Sequence, residues 1–192
     1  MATRNAHKLA ELSALLAPRR LEALPDDVAL PPETGDTFAA NALEKARCAA
    51  RVLRRATIAD DSGIEAAALG GAPGVRSARF AGEGATDADN LAKLLRELER
   101  QEDRRAAYVC VLAYADGSDE RCFTGRCEGT LASVPRGGGG FGYDPAFVPD
   151  DVDDGRTMAE LARAEKDAIS HRGLAGRALL RWLAQREAGQ SS

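Results

Sequence analysis

The sequence predicts an α/β protein with a mixed sheet. Three observations carry this: stretches of helical periodicity alternate with short apolar strands, an Asp-Gly pair turns one alternating strand back on another, and 192 residues suffice for one domain with its own core. No internal repeat interrupts this pattern. A single domain of two lobes is expected over residues 1–187, with AGQSS at 188–192 as a disordered tail.

Residues 1–5, MATRN, lead into a first helix over 7–16, where Leu9, Leu12, Leu15 and Leu16 share a face and Pro18 ends the run. A second, Ala-rich helix spans 36–55, with Phe38, Ala42, Ala46, Ala49 and Leu53 at helical spacing and Asp36 or Thr37 as N-cap. ATIA at 56–59 reads as a buried strand. It is expected to end in a turn at Asp60 and Asp61, because adjacent carboxylates repel and Gly63 can supply the bend. A Gly-rich irregular stretch follows to residue 85, then a helix over 87–101 with Leu91, Leu94, Leu95 and Leu98 on one face. Residues 106–125 form a hairpin turning at Asp116-Gly117, and LASVP at 131–135 adds a short strand. After a glycine run, Thr157 and Glu160 make a capping box that opens a helix. The last helix covers about 174–187, with Ala175, Leu179 and Trp182 facing inward.

Charged residues are 29% of the chain but the formal net charge is only −4, which argues against coating nucleic acid or an anionic membrane by bulk electrostatics. An anionic ligand must be met locally. The N-terminus shows no basic stretch followed by an apolar core, and no apolar run approaches membrane-spanning length, so a cytoplasmic protein is expected. Cys48, Cys110, Cys122 and Cys127 form no CxxC, and His7 and His171 are the only histidines, so neither zinc nor a disulfide framework is expected.

Several short stretches carry chemistry, each with a plainer structural alternative. In ATRNAHK, Thr3, Asn5 and Lys8 surround a helix start, where backbone N–H groups favour an anion; an ordinary N-cap with a surface lysine has the same look. Asp60 and Asp61 either end a strand or sit where a divalent cation relieves their repulsion and one of them takes a proton from water. Glu33 lies in an acidic turn, and Lys45 on an apolar helix face could simply snorkel. GGGGFGYDP combines close-approach glycines with Phe141, Tyr143 and Asp144, which suits a flat heterocycle or a flexible loop. EKDAISHRG gathers Lys166, Ser170, His171 and Arg172 at a helix junction.

TxNxxK, ETGxTFxxNA, IADDSG, GGAPGxxSARxxG, GGFGYDPxF and EKxAISHRG occur in this order and cover nearly the whole chain. Together they resemble the non-canonical purine nucleotide pyrophosphatase family, the dITP/XTP or inosine triphosphate pyrophosphatases. The resemblance implies an ITPase-like fold, with an elongated mixed sheet, flanking helices and two lobes around a central cleft, usually as a homodimer. It implies Mg²⁺-dependent hydrolysis of ITP, dITP or XTP to monophosphate and pyrophosphate, with Asp61 as general base and metal ligand and Asp60 and Glu33 as further metal contributors. Thr3, Arg4, Asn5, Lys8, Lys45 and Ser62 would meet the triphosphate. Phe141, Gly142, Tyr143, Asp144, Lys166, His171 and Arg172 would form the base and sugar pocket, where Arg172 or His171 satisfies a 6-keto oxygen. Adenine would present a donor there instead, leaving an unpaired buried donor at a cost of about 1–3 kcal/mol. Guanine shares the keto group, so its rejection must involve the 2-position. The sequence departs from the family pattern in two places: the strand that normally precedes ATxN is absent or reduced, and Pro32 stands before Glu33 where some members have a second acid. Two alternatives share parts of the pattern. A Maf-type pyrophosphatase would have other base specificity, against which SHRG and FGYDP argue; a nucleotide-binding regulator without turnover is disfavoured by the intact Asp61 and Lys8.

Overall fold

The computed structural model describes residues 1–190, and four strands form one sheet in the order β1-β2-β3-β4: β1 (Thr57–Ala66), β2 (Arg105–Ala115), β3 (Glu120–Leu131) and β4 (Phe147–Pro149). Five helices accompany them: α1 (Ala6–Leu15), α2 (Phe38–Leu53), α3 (Asp87–Glu97), α4 (Arg163–Ile169) and α5 (His171–Gln190). β2 is buried at every position after Arg105, as a near-continuous apolar strand should be, whereas β3 alternates and buries only Phe123, Gly125, Cys127, Gly129 and Leu131. β4 runs antiparallel to β3, with Gly129 opposite Pro149 and Leu131 opposite Phe147. Ala2 makes an isolated parallel bridge to Ala59, outside the named strands, its N–H donating to the Ile58 carbonyl at 2.8 Å.

The chain divides into two compact units. The first comprises Met1–Asp61, Cys110–Gly125 and the residues from His171 onward. Its core joins Leu12 and Leu16, Cys110 and Leu112 of β2, Phe123 of β3, and Ala175 and Leu179 of α5, with Trp182 meeting Tyr114 edge-on at 4.9 Å. Asn5 caps α1 by accepting from the Lys8 N–H, and Thr37 caps α2 by accepting from Ala40. The buried face of α2 is mostly alanine (Ala42, Ala46, Ala49 and Ala50), so its backbone lies close to its neighbours. Gly125 shows the same tightness: a Cβ there would fall 2.0 Å from the His171 carbonyl oxygen.

The second unit comprises Ser62–Val109 and Arg126–Ser170. Leu91, Leu94 and Leu98 pack with Ile64, Tyr108, Leu131, Phe147 and Met158. A Thr86–Asp89 capping box opens α3. The expected Thr157–Glu160 box is present, but it opens a single 3₁₀ turn (Met158–Glu160), and the helix proper starts at Arg163.

Three sequence expectations need correction. β1 does not end at the aspartate pair; it runs through Asp60, Asp61, Ser62 and Gly63 to Ala66. Gly63 makes no bend, since its missing Cβ leaves room for Ser77 Oγ and the Gly74 carbonyl, which would lie 2.3 and 2.5 Å from it. LASVP forms no strand of its own: Leu131 ends β3, and the strand beside it is the three-residue β4. Of the tail expected at 188–192, residues 188–190 are the last of α5, and 191 and 192 lie outside the described residues.

Candidate active site

The first unit carries an acidic centre on β1. Asp60 and Asp61 are both buried, and a strand sends neighbouring side chains to opposite faces, so the two carboxylates meet different surroundings. Asp60 faces cations: Lys8 Nζ of α1 lies 2.5 Å from Oδ1, and Arg172 Nε of α5 lies 3.4 Å from Oδ2. The Cys110 thiol donates to Oδ2 at 3.4 Å. Burial alone would raise the Asp60 pKa, but Lys8 and Arg172 outweigh it and hold the carboxyl far below the usual range. Arg172 Nη1 also reaches Glu11 Oε2 at 3.2 Å, so one buried guanidinium bridges two carboxylates.

Asp61 has the opposite electrostatics. Its Oδ2 accepts from Asn41 Nδ2 at 3.0 Å, and Lys45 Nζ stands 3.8 Å from Oδ1. Lys45 is mainly engaged elsewhere, donating to Glu33 Oε1 through a short ion pair and to the Asp60 carbonyl at 2.7 Å. Burial raises the Asp61 pKa; Lys45 opposes the shift and the Glu33 charge adds to it. Two neighbours on one strand thus differ in kind: cations hold Asp60 as an anion, whereas burial and the Glu33 charge raise the Asp61 pKa.

Asp61 and Glu33 offer hard oxygen donors around Lys45, a set that suits a small divalent cation taking one or two carboxylates plus phosphate oxygens. Asp60, expected as a third contributor, has its oxygens on Lys8 and Arg172 instead. Among the described residues no group of three or more His, Cys, Asp or Glu is arranged to hold a metal.

The other expected phosphate contacts of this unit have structural partners. Thr3 Oγ1 accepts from the Asn5 N–H, and Asn5 caps α1. Arg4 donates to the carbonyls of Leu24, Pro25, Asp26 and Val28 and to the Asp26 carboxylate, so it fastens the 24–28 segment. Lys45 is buried at 6% exposure, which removes the snorkelling alternative. His171 is buried at the start of α5. Arg172, expected at a 6-keto oxygen, has its guanidinium on Glu11 and Asp60.

The second unit holds Ser62, the next residue of β1, and the aromatic loop. Asp144 Oδ2 accepts from Lys166 Nζ at 2.8 Å and from the Phe141 N–H at 2.9 Å, and Lys166 Nζ lies 5.4 Å from the Phe141 ring centre. The half-buried Phe141 ring thus sits beside a buried cation. Tyr143 is buried, its hydroxyl donating to the Ser77 carbonyl at 2.7 Å. Sequence reasoning quoted Asn41 within ETGxTFxxNA without giving it a role. It passed over Glu11, three residues after Lys8 and therefore on the same face of α1, a spacing that could have found it.

These elements define a mixed α/β protein whose central feature is a strand-borne aspartate pair set among lysines. A family model described as the Ham1 family matches residues 1–182, and the chain belongs to that family. A relative named dITP/XTP pyrophosphatase from Geobacillus kaustophilus is 52% identical over 185 residues, covering 91% of this chain and 88% of the relative. One of the same name from Mycobacterium tuberculosis is 52% identical over 184 residues, covering 91% and 89%. Among solved structures, a HAM1 protein from Coxiella burnetii superposes with a TM-score of 0.86 at 42% identity, covering 95% of this chain and 96% of that one. The Staphylococcus aureus Ham1 protein gives 0.84 at 39% identity, covering 96% and 97%.

Proposed function

We propose that this chain is a magnesium-dependent nucleoside triphosphate pyrophosphohydrolase that converts ITP, dITP and XTP to monophosphate and pyrophosphate, acting as a homodimer in the cytosol. The observation that carries the reading is the split between Asp60 and Asp61, a buried anion fixed by two cations beside a buried carboxylate with a raised pKa. A general base works best when its pKa is brought toward the operating pH. The names of relatives about half identical over most of the chain support the same activity.

In this reading Asp61 orients a water against the α-phosphorus and accepts its proton. The new bond is from water oxygen to phosphorus, the bond that breaks is from phosphorus to the oxygen bridging toward the β-phosphate, and pyrophosphate leaves with that electron pair. Asn41 holds the Asp61 carboxylate in orientation. Lys8 and Lys45 bring positive charge to the triphosphate, and Asp61 with Glu33 would hold Mg²⁺. Bound there, the metal supplies charge to the phosphate oxygens and offsets the repulsion between carboxylates and substrate. Asp60 takes no proton; it fixes Lys8. The base is assigned to the face of Phe141, with Lys166 as the adjacent donor to a 6-keto oxygen.

Pyrophosphate release from ITP, dITP and XTP, set against ATP and CTP, tests the proposal. The first three should turn over far faster, EDTA should abolish the reaction, and Mg²⁺ should restore it. Products of diphosphate and orthophosphate would place attack at the wrong phosphorus and sink the reading. Light scattering should report about twice the 20.3 kDa chain mass.

A further inference from the structure

We propose that Asp87, which none of the expected motifs includes, is a positioning residue that sets base recognition by holding the aromatic loop from outside it. The inference rests on the proposed function. In the loop, three successive backbone N–H groups are each received by a different side chain: Phe141 by Asp144 Oδ2 at 2.9 Å, Gly142 by Asp87 Oδ2 at 2.9 Å, and Tyr143 by the Tyr108 hydroxyl at 3.0 Å. The acceptors come from the loop itself, from the first turn of α3 and from β2. Two of them, Asp144 and Tyr108, are buried and hold the amides on either side of that of Gly142.

Asp87 differs from them. It is exposed, it holds the middle amide, and that amide belongs to Gly142 at φ +65°, a conformation in which other residues are strained. Residues 133–140 on the other side of Phe141 are exposed and tied to the 157–160 turn, the Gly139 N–H donating to the Ala159 carbonyl and Thr157 Oγ1 to the Arg136 carbonyl, each at 3.0 Å. At the Phe141–Gly142 peptide the carbonyl accepts from the Asp144 N–H at 3.3 Å inside the loop, and the amide reaches out of the loop to Asp87 of α3. Losing the Asp87 acceptor loosens the amide side of that peptide, and the Phe141 ring it carries shifts with it. Orientation of the ring beside Lys166 is what a flat purine would meet, so the effect should fall on substrate affinity and base discrimination rather than on the proton transfer at Asp61.

Steady-state kinetics with ITP and ATP on Asp87→Ala and Asp87→Asn tests this. For Asp87→Ala the expectation is a KM for ITP raised roughly tenfold, the scale of one lost hydrogen bond to a charged acceptor, with kcat within about twofold and the ITP-to-ATP ratio of kcat/KM reduced by a similar factor. Asp87→Asn keeps an oxygen acceptor but loses the charge that favours the start of α3, so it should return KM to within about threefold of the parent. A purely helix-stabilising role predicts the reverse: both variants lower the melting temperature alike and neither changes KM. That result overturns the inference, as does an unchanged ITP-to-ATP ratio in Asp87→Ala. A parent protein that releases no pyrophosphate from ITP overturns the proposed function and this inference with it, whereas an active parent with an unaltered Asp87→Ala overturns only the inference.

Discussion

Replacing Asp60 and Asp61 one at a time should separate stability from chemistry. At an effective dielectric of about 20, the 2.5 Å contact to Lys8 and the 3.4 Å contact to Arg172 correspond to gross attractions of roughly 7 and 5 kcal/mol. Desolvation of the buried Asp60 and Arg172 and the half-buried Lys8 offsets most of that. What remains when one member of a buried pair is deleted is on the order of 3–5 kcal/mol, because the surviving charges are left unmatched. Asp60→Asn takes away the carboxylate that faces Lys8 and Arg172, so its melting temperature should fall by about 6–20 °C, at roughly 2–4 °C per kcal/mol for a chain of this size. Asp61→Asn disturbs a looser set of charges, with Lys45 Nζ 3.8 Å from Oδ1. It removes a charge that burial and Glu33 already disfavour, and the amide oxygen can still accept from Asn41. Its melting temperature should stay within about 3 °C of the parent while pyrophosphate release from ITP falls at least about 100-fold. Thermal melting and ITP turnover, measured on the same preparations, decide the matter. An Asp60→Asn protein that melts within 3 °C of the parent would refute the claim that Lys8 and Arg172 hold a fixed anion. Near-native turnover in a folded Asp61→Asn would send the search for the base to Glu33.

Gly63→Ala should lower stability by about 1–3 kcal/mol in urea melts, since the new methyl meets the Gly74 backbone oxygen as well as Ser77 Oγ; trimming Ser77 to glycine in the same chain should restore only part of the loss. Lys166→Met should cost on the order of 3–5 kcal/mol, because Asp144 then remains buried without its cation, and Asp144→Asn in the same chain should recover a share of that. Burial and the Asp116 hydrogen bond push the Tyr114 hydroxyl up to about 12. A pKa raised in the folded state gives stability that is full below about pH 10 and lost as pH climbs toward 12, so melting temperature should drop across that interval and drop less in Tyr114→Phe. A flat melting temperature from pH 10 to 12 would contradict the assignment.

The helices were legible because their signals are local. Leucine spacing at 9, 12, 15 and 16 and at 91, 94 and 98, with Thr37 ahead of Phe38, places α1, α3 and α2 to within a few residues. β1 was misread at its most informative point. Two adjacent aspartates and a glycine have the composition of a turn, and what keeps them in a strand lies far away in sequence: Lys8 and Arg172 neutralise Asp60, and the 74–77 turn occupies the space beside Gly63. No window of neighbouring residues contains those partners. Arg4 illustrates the same limit, since a motif places it beside Thr3 and Asn5 but only the fold shows that four carbonyls of the 24–28 segment surround its guanidinium.

The first unit is assembled from three stretches of chain, and its central ion network reflects this. Asp60 comes early and Arg172 late, and the Glu11–Arg172 pair spans 161 residues. On a ribosome adding about 5–20 residues per second, roughly ten seconds separate the emergence of the aspartate from that of the arginine. Until then the negative charge on the nascent strand has Lys8 and Lys45 but not Arg172 to meet it, and the apolar face of α1 lacks the α5 surface on which it rests. The second unit, drawn from two stretches, has all its partners available sooner. Growth of the chain therefore imposes an order in which the unit that holds the Phe141 loop can mature first, and the unit with the aspartate pair is completed only when the C-terminal helix arrives.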